Sequence, residues 1–236
     1  MMSNAVQIIP LTQLALAFIP VALVLVIMQA WSLGARTGLL AVVRMLLQLL
    51  LIGYLLNWIF ATESSPVVLF VLCFMILVAS WIALRPLPDW TARNYGHVLF
   101  AISLGGGATL ALISLGVLQL EPWYAPRQIV PLGGMIFASA MNTVSLSAER
   151  FAAESARGLA AAEARHEAYS AGLIPLLNSL FAVGLVALPG MMTGQILSGV
   201  SPLVAVRYQI MVMCMLTGAS GLAAAIYLLL AARSKT

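Results

Sequence analysis

The side chains that could bind a solute in this 236-residue chain are uncharged amides and methionine thioethers. Asn142 and Asn178 carry amide oxygens within long apolar runs, and a Pro-Gly-Met-Met sequence begins at Pro189. A polar side chain in lipid costs free energy unless it faces a partner helix or a cavity. These residues therefore indicate either hydrogen bonds between helices or the lining of a path across a membrane.

The sequence lacks a recognisable catalytic or nucleotide-binding set. Lysine occurs once, at Lys235, so the chain has no GxxxxGK[ST] phosphate loop for ATP. His97 and His166 have no Cys or His neighbour at metal-ligand spacing. The basic residues are scattered beside apolar runs, which orientation in a membrane explains better than nucleic-acid binding. We predict a protein that is not an enzyme, binds no cofactor itself and does not bind nucleic acid.

The composition indicates a membrane protein. Hydrophobic residues make up 63% of the chain and charged residues only 8%, against about 25% charged in soluble domains. Charge-free runs recur at lengths near or above the roughly 20 residues that span a bilayer as a helix. We predict an all-α polytopic bundle, a single transmembrane permease domain over residues 1–236, in the lipid bilayer of the cell inner (plasma) membrane. The seven predicted spans are about 13–32, 39–60, 66–84, 96–118, 129–147, 172–198 and 208–231.

The eleven Lys and Arg residues predict the orientation of the chain, because cytoplasmic loops carry an excess of positive charge. With seven spans and the N-terminus outside, nine of the eleven fall on the cytoplasmic side and two, Arg127 and Arg207, fall outside. An even number of spans would spoil this separation. We therefore predict an N-terminus outside and a C-terminus in the cytoplasm.

The one sizeable polar segment is 148–170, which we predict to be a cytoplasmic helical loop. Its alanines, with Arg150, Glu154 and Arg157 at helical spacing, favour a surface helix. The segment is either a solvated connector or the element that docks a cytoplasmic partner, with these three side chains as the candidate docking residues.

The sixth predicted span, 172–198, contains a helix break. Pro189 removes a helical hydrogen bond and Gly190 relaxes the backbone, so we expect a helix that ends near residue 188 and then a kink or a short second helix. Five of the twelve methionines lie in 191–215, which indicates adaptable packing at a moving interface or a soft-metal path. Small residues at every fourth position suit close helix packing: Gly190, Gly194 and Ser198.

None of the seven acidic residues falls inside a predicted span. Proton- or sodium-coupled transporters usually place ionisable residues there, so a passive or externally energised path is favoured. Arg44 lies about one turn from the cytoplasmic end of its helix, where its side chain can reach the interface. The candidate residues for the path and its packing are Arg44, Gln48, Asn142, Asn178, Pro189, Gly190, Met191, Met192 and Gly194.

Three stretches resemble a known family. The sequences PLGGMIFASAMNTVSLSAER (131–150) and LPGMMTGQILSGVSPLVAVRYQIMVM (188–213) are similar to the two signature stretches of the FetB family, and VVRMLLQLLLIGYLLNWIF (42–60) matches its Arg–Gln–Gly–Tyr pattern. These proteins are permease subunits of an ATP-binding-cassette (ABC) system associated with iron export in bacteria, and related plant proteins are linked to aluminium tolerance. The resemblance implies a homodimeric permease for iron or another metal ion. It also implies a separate cytoplasmic ATPase subunit that binds the ATP.

Two alternative functions stay open at this point. A self-sufficient channel or facilitator predicts transport in liposomes without ATP. A membrane sensor or assembly protein that transports nothing predicts that mutation of Asn142 and Asn178 leaves solute movement unchanged. A membrane enzyme is a more distant alternative, because no catalytic constellation is visible.

Overall fold

The computed structural model of the chain describes residues 9–61, 64–87 and 91–233. Over these residues the regular structure is helical. Nine α-helices follow one another along the chain, and a π-helical segment, Leu112–Val117, continues α5. The helices are α1 (Leu11–Leu16), α2 (Phe18–Ala30), α3 (Ala35–Ala61), α4 (Ser65–Ala83), α5 (Ala92–Ala111), α6 (Pro126–Ala156), α7 (Ala161–Ala182), α8 (Gly190–Leu197) and α9 (Pro202–Arg233).

The all-α membrane architecture predicted from the sequence is confirmed. Among the described residues, six helical stretches are long and apolar enough to cross a bilayer, with mean hydropathies from 1.5 to 2.6. They are α1 with α2, α3, α4, α5 with its π-helical segment, α6 and α9. The protein is therefore a multi-pass membrane protein, while the count of seven spans and the orientation of the termini stay predictions.

The sixth predicted span, 172–198, is not one continuous helix. Helix α7 ends at Ala182 rather than near residue 188, and α8 begins only at Gly190, with Pro189 as its N-cap. The chain turns between them, where the Gly184 backbone has φ +81° and its N–H donates to the Ala187 carbonyl. The short second helix was predicted correctly. The first helix ends six residues early because the turn at Gly184 precedes the proline.

For segment 148–170 we predict a separate surface helix, and the structure differs from this prediction. Its first nine residues, 148–156, are the last turns of α6, and residues from Ala161 onward begin α7. Gly158, at φ +87°, ends α6: its N–H donates to the Ser155 carbonyl and the Leu159 N–H donates to the Glu154 carbonyl. This is the Schellman arrangement, in which a left-handed glycine terminates a helix. The polar segment is therefore a helical hairpin.

The chain divides into two compact units, and Ala61 is the last residue of the first. In the first unit α2 packs against α3, where Gly38 faces the side chains of Leu25 and Met28. Most apolar side chains of these helices are exposed, as expected of helices that contact lipid.

The second unit holds α4–α9, and α9 contacts α5, α6, α7 and α8. Its buried face is rich in alanine, so neighbouring helices come close to its backbone. Ser139 of α6 and Ser220 of α9 share a hydrogen bond of 2.8 Å between their hydroxyl oxygens. Small residues at contact positions and hydroxyl bonds between helices are the usual means of packing helices in lipid, where the hydrophobic effect drives no association.

Helices α5 and α9 approach closely at Gly105, the first residue of the glycine run 105–107. A Cβ on Gly105 would lie 2.7 Å from the backbone nitrogen of Ala223, whereas a Cβ on Gly107 would meet nothing within 4 Å. Gly105 is therefore a position where only hydrogen fits, because the obstructing atom belongs to the backbone of the neighbouring helix.

We predict that Gly105→Ala lowers the free energy of unfolding by about 1–3 kcal/mol, the usual cost of overpacking. Thermal unfolding of the detergent-purified chain measures the change. Gly107→Ala, two residues along the same helix, is the matched control and leaves stability unchanged or slightly raised. Equal effects of the two substitutions would contradict the close approach of α5 and α9.

Candidate functional site

A cavity of about 560 Å³ lies where α6, α7, α8 and α9 meet. The helix break between α7 and α8 forms one of its walls, through residues of the turn and the first residues of α8. Non-helical backbone at membrane depth is tolerated where it lines a cavity or is buried in protein. The lining residues are Met135, Ser139, Asn142, Thr143, Pro175, Leu176, Ser179, Ala182, Val183, Ala187, Pro189, Gly190, Met191, Gln209, Val212, Met213 and Leu216.

The polar side chains of this cavity form a buried floor and an exposed rim. Thr143 and Gln209 are buried, with 5% and 7% of their surface exposed. Asn142 and Ser179 are exposed, so they mark the open side of the cavity. Among the described residues that line it there is no Lys, Arg, Asp, Glu or His. The cavity is therefore a neutral polar site within an apolar bundle.

The hydroxyl groups of the cavity present acceptor lone pairs. Thr143 Oγ1 donates its single hydrogen to the Ser139 carbonyl at 3.2 Å, and Ser179 Oγ donates to the Pro175 carbonyl at 2.9 Å. A hydroxyl carries one hydrogen and two acceptor lone pairs, so these two groups keep only acceptor capacity for a solute.

Gln209 is the lining residue whose side chain leaves a buried hydrogen-bond acceptor unpaired within the described chain. Its Oε1 atom is buried and has no hydrogen-bond partner among the residues that the structure describes. A buried acceptor without a partner costs about 1–3 kcal/mol. Sequence reasoning missed Gln209, although a lone glutamine inside an apolar span was the available signal.

A second cavity, of about 360 Å³, lies beside the first and contains the side chains of Arg127, Gln128 and Tyr208. Two methionines, Met135 of α6 and Met191 of α8, line both cavities. The two thioether side chains therefore form the boundary between the neutral polar cavity and its neighbour. Methionine is flexible enough to repack if these helices shift.

The structure brings together four of the nine residues predicted for the path. The polar cavity is lined by Asn142, Pro189, Gly190 and Met191. Arg44 and Gln48 line a separate groove of about 370 Å³ along α3, in the first unit. The residues that line neither space are Asn178, Met192 and Gly194.

The strip of small residues on α8 makes no close helix contact within the described chain. A Cβ on Gly190 or on Gly194 would meet nothing within 4 Å. Ser198 instead donates its hydroxyl hydrogen to the Gly194 carbonyl, at 2.8 Å. Close packing through small residues occurs at Gly105 and Gly172 rather than here.

The three predicted docking residues form a clamp at the C-terminal end of α6. Glu154 Oε1 accepts from Arg150 Nη2 at 2.8 Å and from Arg157 Nη1 at 2.9 Å. Only 5% of the Glu154 side chain is exposed, against 41% and 66% for the two arginines. Glu154 therefore stabilises the last turns of α6 through buried ion pairs. Of the three residues, the two arginines present charge to a partner.

No group of three or more His, Cys, Asp and Glu residues within ranges 9–61, 64–87 and 91–233 could hold a metal ion.

Comparison with known proteins identifies similar sequences over most of the chain. Residues 11–235 match the family described as Uncharacterised protein family (UPF0014). The Probable iron export permease protein FetB of Escherichia coli is 32% identical over 89% of this chain and 85% of its own. The UPF0014 membrane protein STAR2 of rice is 36% identical over 76% of this chain and 67% of its own length. Protein ALUMINUM SENSITIVE 3 of Arabidopsis thaliana is 32% identical over 76% of this chain and 70% of its own length. No solved structure matches.

We predict that Glu154→Gln destabilises the hairpin by about 1–2 kcal/mol, because the ion pairs are lost but both arginines can turn to water. Thermal unfolding together with limited proteolysis at 157–160 measures the effect. The control is Glu149→Gln, an exposed glutamate on the same helix that makes no ion pair within the described residues. A Glu154→Gln protein as stable as the control would refute the clamp.

Proposed function

The chain belongs to the UPF0014 family, and on that premise we propose that it is the permease subunit of an ABC transporter that exports iron or another metal ion. The observation that carries the proposal is the neutral polar cavity at the break between α7 and α8. Transporters commonly place substrate sites at discontinuous helices near the middle of the membrane. The similarity to FetB over 89% of the chain supports iron as the first substrate to test.

A separate ATPase subunit supplies the energy in this proposal. The sequence has no phosphate loop, and none of the described residues that line the polar cavity is ionisable, so neither ATP hydrolysis nor proton coupling is built into that cavity. The tip of the α6–α7 hairpin, residues 156–163, is the docking surface, because most of its residues are exposed while Phe151, Ala164 and Ala168 below it are buried. In the predicted orientation this tip is cytoplasmic.

Transport then couples hairpin movement to the cavity. ATP-driven closure of the partner pushes the tip, and the bundle rearranges around the break at Pro189 and Gly190 so that the path opens outward. The methionine boundary formed by Met135 and Met191 repacks in this step.

The working unit is a homodimer located in the cell inner (plasma) membrane. The rim residues Asn142 and Ser179 are exposed on the open side of the cavity. Polar groups cannot face hydrocarbon at low cost, so a second copy that covers this side gives the rim a polar or enclosed environment.

The test of the proposal is transport by purified components. The chain is isolated in mild detergent from its host with its co-purifying ATPase, and both are placed in vesicles whose ATPase faces outward. We expect Fe²⁺ to accumulate inside only with MgATP, and not with an ATPase variant that cannot hydrolyse it. Equal Fe²⁺ movement without ATP would support a channel or facilitator, and absence of both ATPase and transport would support an interaction protein.

The docking surface is tested by a bulky substitution at the hairpin tip. Ala161 is exposed and lies in the first turn of α7, so Ala161→Trp adds volume without disturbing buried contacts. We expect recovery of the ATPase with the chain to fall at least tenfold, a change of about 1.4 kcal/mol or more. Leu197→Trp, at an exposed position 68% accessible in α8, is the control and retains the ATPase. Unchanged recovery with Ala161→Trp would place docking elsewhere.

A further inference from the structure

We propose that the second cavity, of about 360 Å³, is a lipid site: it holds an acyl chain of an anionic phospholipid, and Arg127 binds the phosphate of the headgroup. This inference goes beyond the proposed function and does not depend on it, because the ligand is a component of the membrane rather than the transported solute.

The first argument is the depth of Arg127 in the membrane. The loop before α6 contains Trp123 and Tyr124, whose rings meet edge to face with their centroids 5.6 Å apart. Trp and Tyr are enriched where a membrane meets water, at the level of the lipid headgroups. Arg127 follows this loop directly, in the first turn of α6. Its guanidinium group therefore lies at the depth of the lipid phosphates.

The second argument is the apolar wall of the cavity. The wall includes Leu118 and Leu120 of the loop, Leu132 of α6 and Met211 of α9, and the cavity is partly open to the outside. Ligand sites commonly have volumes of about 300–1,000 Å³ and apolar walls with a few polar groups that fix the orientation of the ligand. A hydrocarbon chain would contact this wall, whereas a free inorganic anion would leave it without contacts.

The backbone holds two of these leucines in place. The π-helical segment Leu112–Val117 ends beside them, and the Leu118 N–H donates to the Ile113 carbonyl at 2.8 Å. The Leu120 N–H donates to the Ser114 carbonyl at 3.0 Å. Single π-helical turns are frequent at functional sites. The cavity wall is therefore formed before a ligand enters, so little ordering of the chain opposes binding.

The third argument is the charge of Arg127. Among the described residues that line the cavity, it is the one that carries a formal charge. It is exposed and makes no ion pair within the described chain. The first turn of α6 contains no acidic residue, so the arginine lies at the positive end of the helix dipole. An anion there would offset both positive charges, and arginine binds phosphate oxygens through two parallel N–H groups. The site therefore favours an anionic headgroup over a zwitterionic one.

The experiment is a lipid titration of the purified, delipidated full-length chain in mild detergent, in which native mass spectrometry counts the lipids bound to each chain. The probes are phosphatidylglycerol and phosphatidylcholine with identical acyl chains. We expect one saturable site per chain that prefers phosphatidylglycerol. Arg127→Gln should raise the Kd for phosphatidylglycerol about fivefold, the usual contribution of one basic residue near an anionic membrane surface, and leave the Kd for phosphatidylcholine unchanged. Arg127→Lys, which keeps the charge, should raise it less.

Matched variants separate the cavity from the surface around it. Arg207 is exposed and does not line the cavity, so Arg207→Gln should leave the Kd unchanged. Met211→Trp fills the cavity and should raise the Kd on the order of tenfold, because methylene groups of the lipid are excluded. Cys214→Trp, at an exposed position on the same helix outside the cavity, should have no effect. If Met211→Trp does not fold, Leu120→Trp, in the loop, fills the cavity instead.

Four results would overturn the lipid site. Equal affinities for the two lipids, or equal losses in Arg127→Gln and Arg207→Gln, would indicate general attraction to a charged surface. Unchanged binding in the filled variants would place the lipid elsewhere. Displacement of the lipid by inorganic phosphate would indicate a free anion as the ligand. Export of Fe²⁺ by vesicles tests the proposed function separately, so either proposal can fail while the other stands.

Discussion

The close approach of α5 to α9 and of α7 to α6 depends on small residues at the contact positions. A Cβ on Gly105 would collide with the backbone of Ala223, and a Cβ on Gly172 would collide with Ser147 and the Thr143 carbonyl. In lipid there is no water to expel from between helices, so packing must come from such contacts. The position of the polar cavity follows from them, because Thr143 and Ser139 lie on the α6 face that Gly172 and Ser220 bring into the bundle.

The helix break gives this tightly packed bundle room for a solute. If α7 continued unbroken to Leu197, its side chains would occupy the space that the turn at Gly184 and the proline cap of α8 leave open. The free space therefore arises from backbone geometry, while its polarity arises from the few amides and hydroxyls around it. Free space and polar side chains are both needed for a solute site. A cavity lined only by leucine would hold no water. The same amides on regular, closely packed helices would form hydrogen bonds with each other.

The sequence predicted well what depends on composition and poorly what depends on tertiary contact. Long apolar runs predicted α3, α4 and α5 with its π-helical segment to within four residues at each end, because lipid imposes a minimum length. Helix α9 begins at Pro202, six residues before the predicted span. The end of α6 was wrong, because the alanines of 148–156 continue the helix until Gly158 stops it. Of the path residues, Asn142, Pro189, Gly190 and Met191 converge because they flank the break. Arg44 and Gln48 belong to the other unit, and Gln209 was missed although a lone glutamine inside an apolar span is the same signal that Gln48 gave.

Helix α6 is one continuous helix that extends from the wall of the polar cavity to the tip of the hairpin. Its 31 residues measure about 46 Å at 1.5 Å per residue, whereas the hydrocarbon core is about 30 Å thick. The ion pairs of Glu154 and the Schellman turn stiffen the projecting end, and Asn142, in the cavity wall, lies fifteen residues, or roughly 22 Å, before Arg157. A rigid lever of this kind transmits a displacement from one end to the other directly. A displacement of the hairpin therefore moves the cavity wall through the helix backbone, without a series of side-chain rearrangements between them.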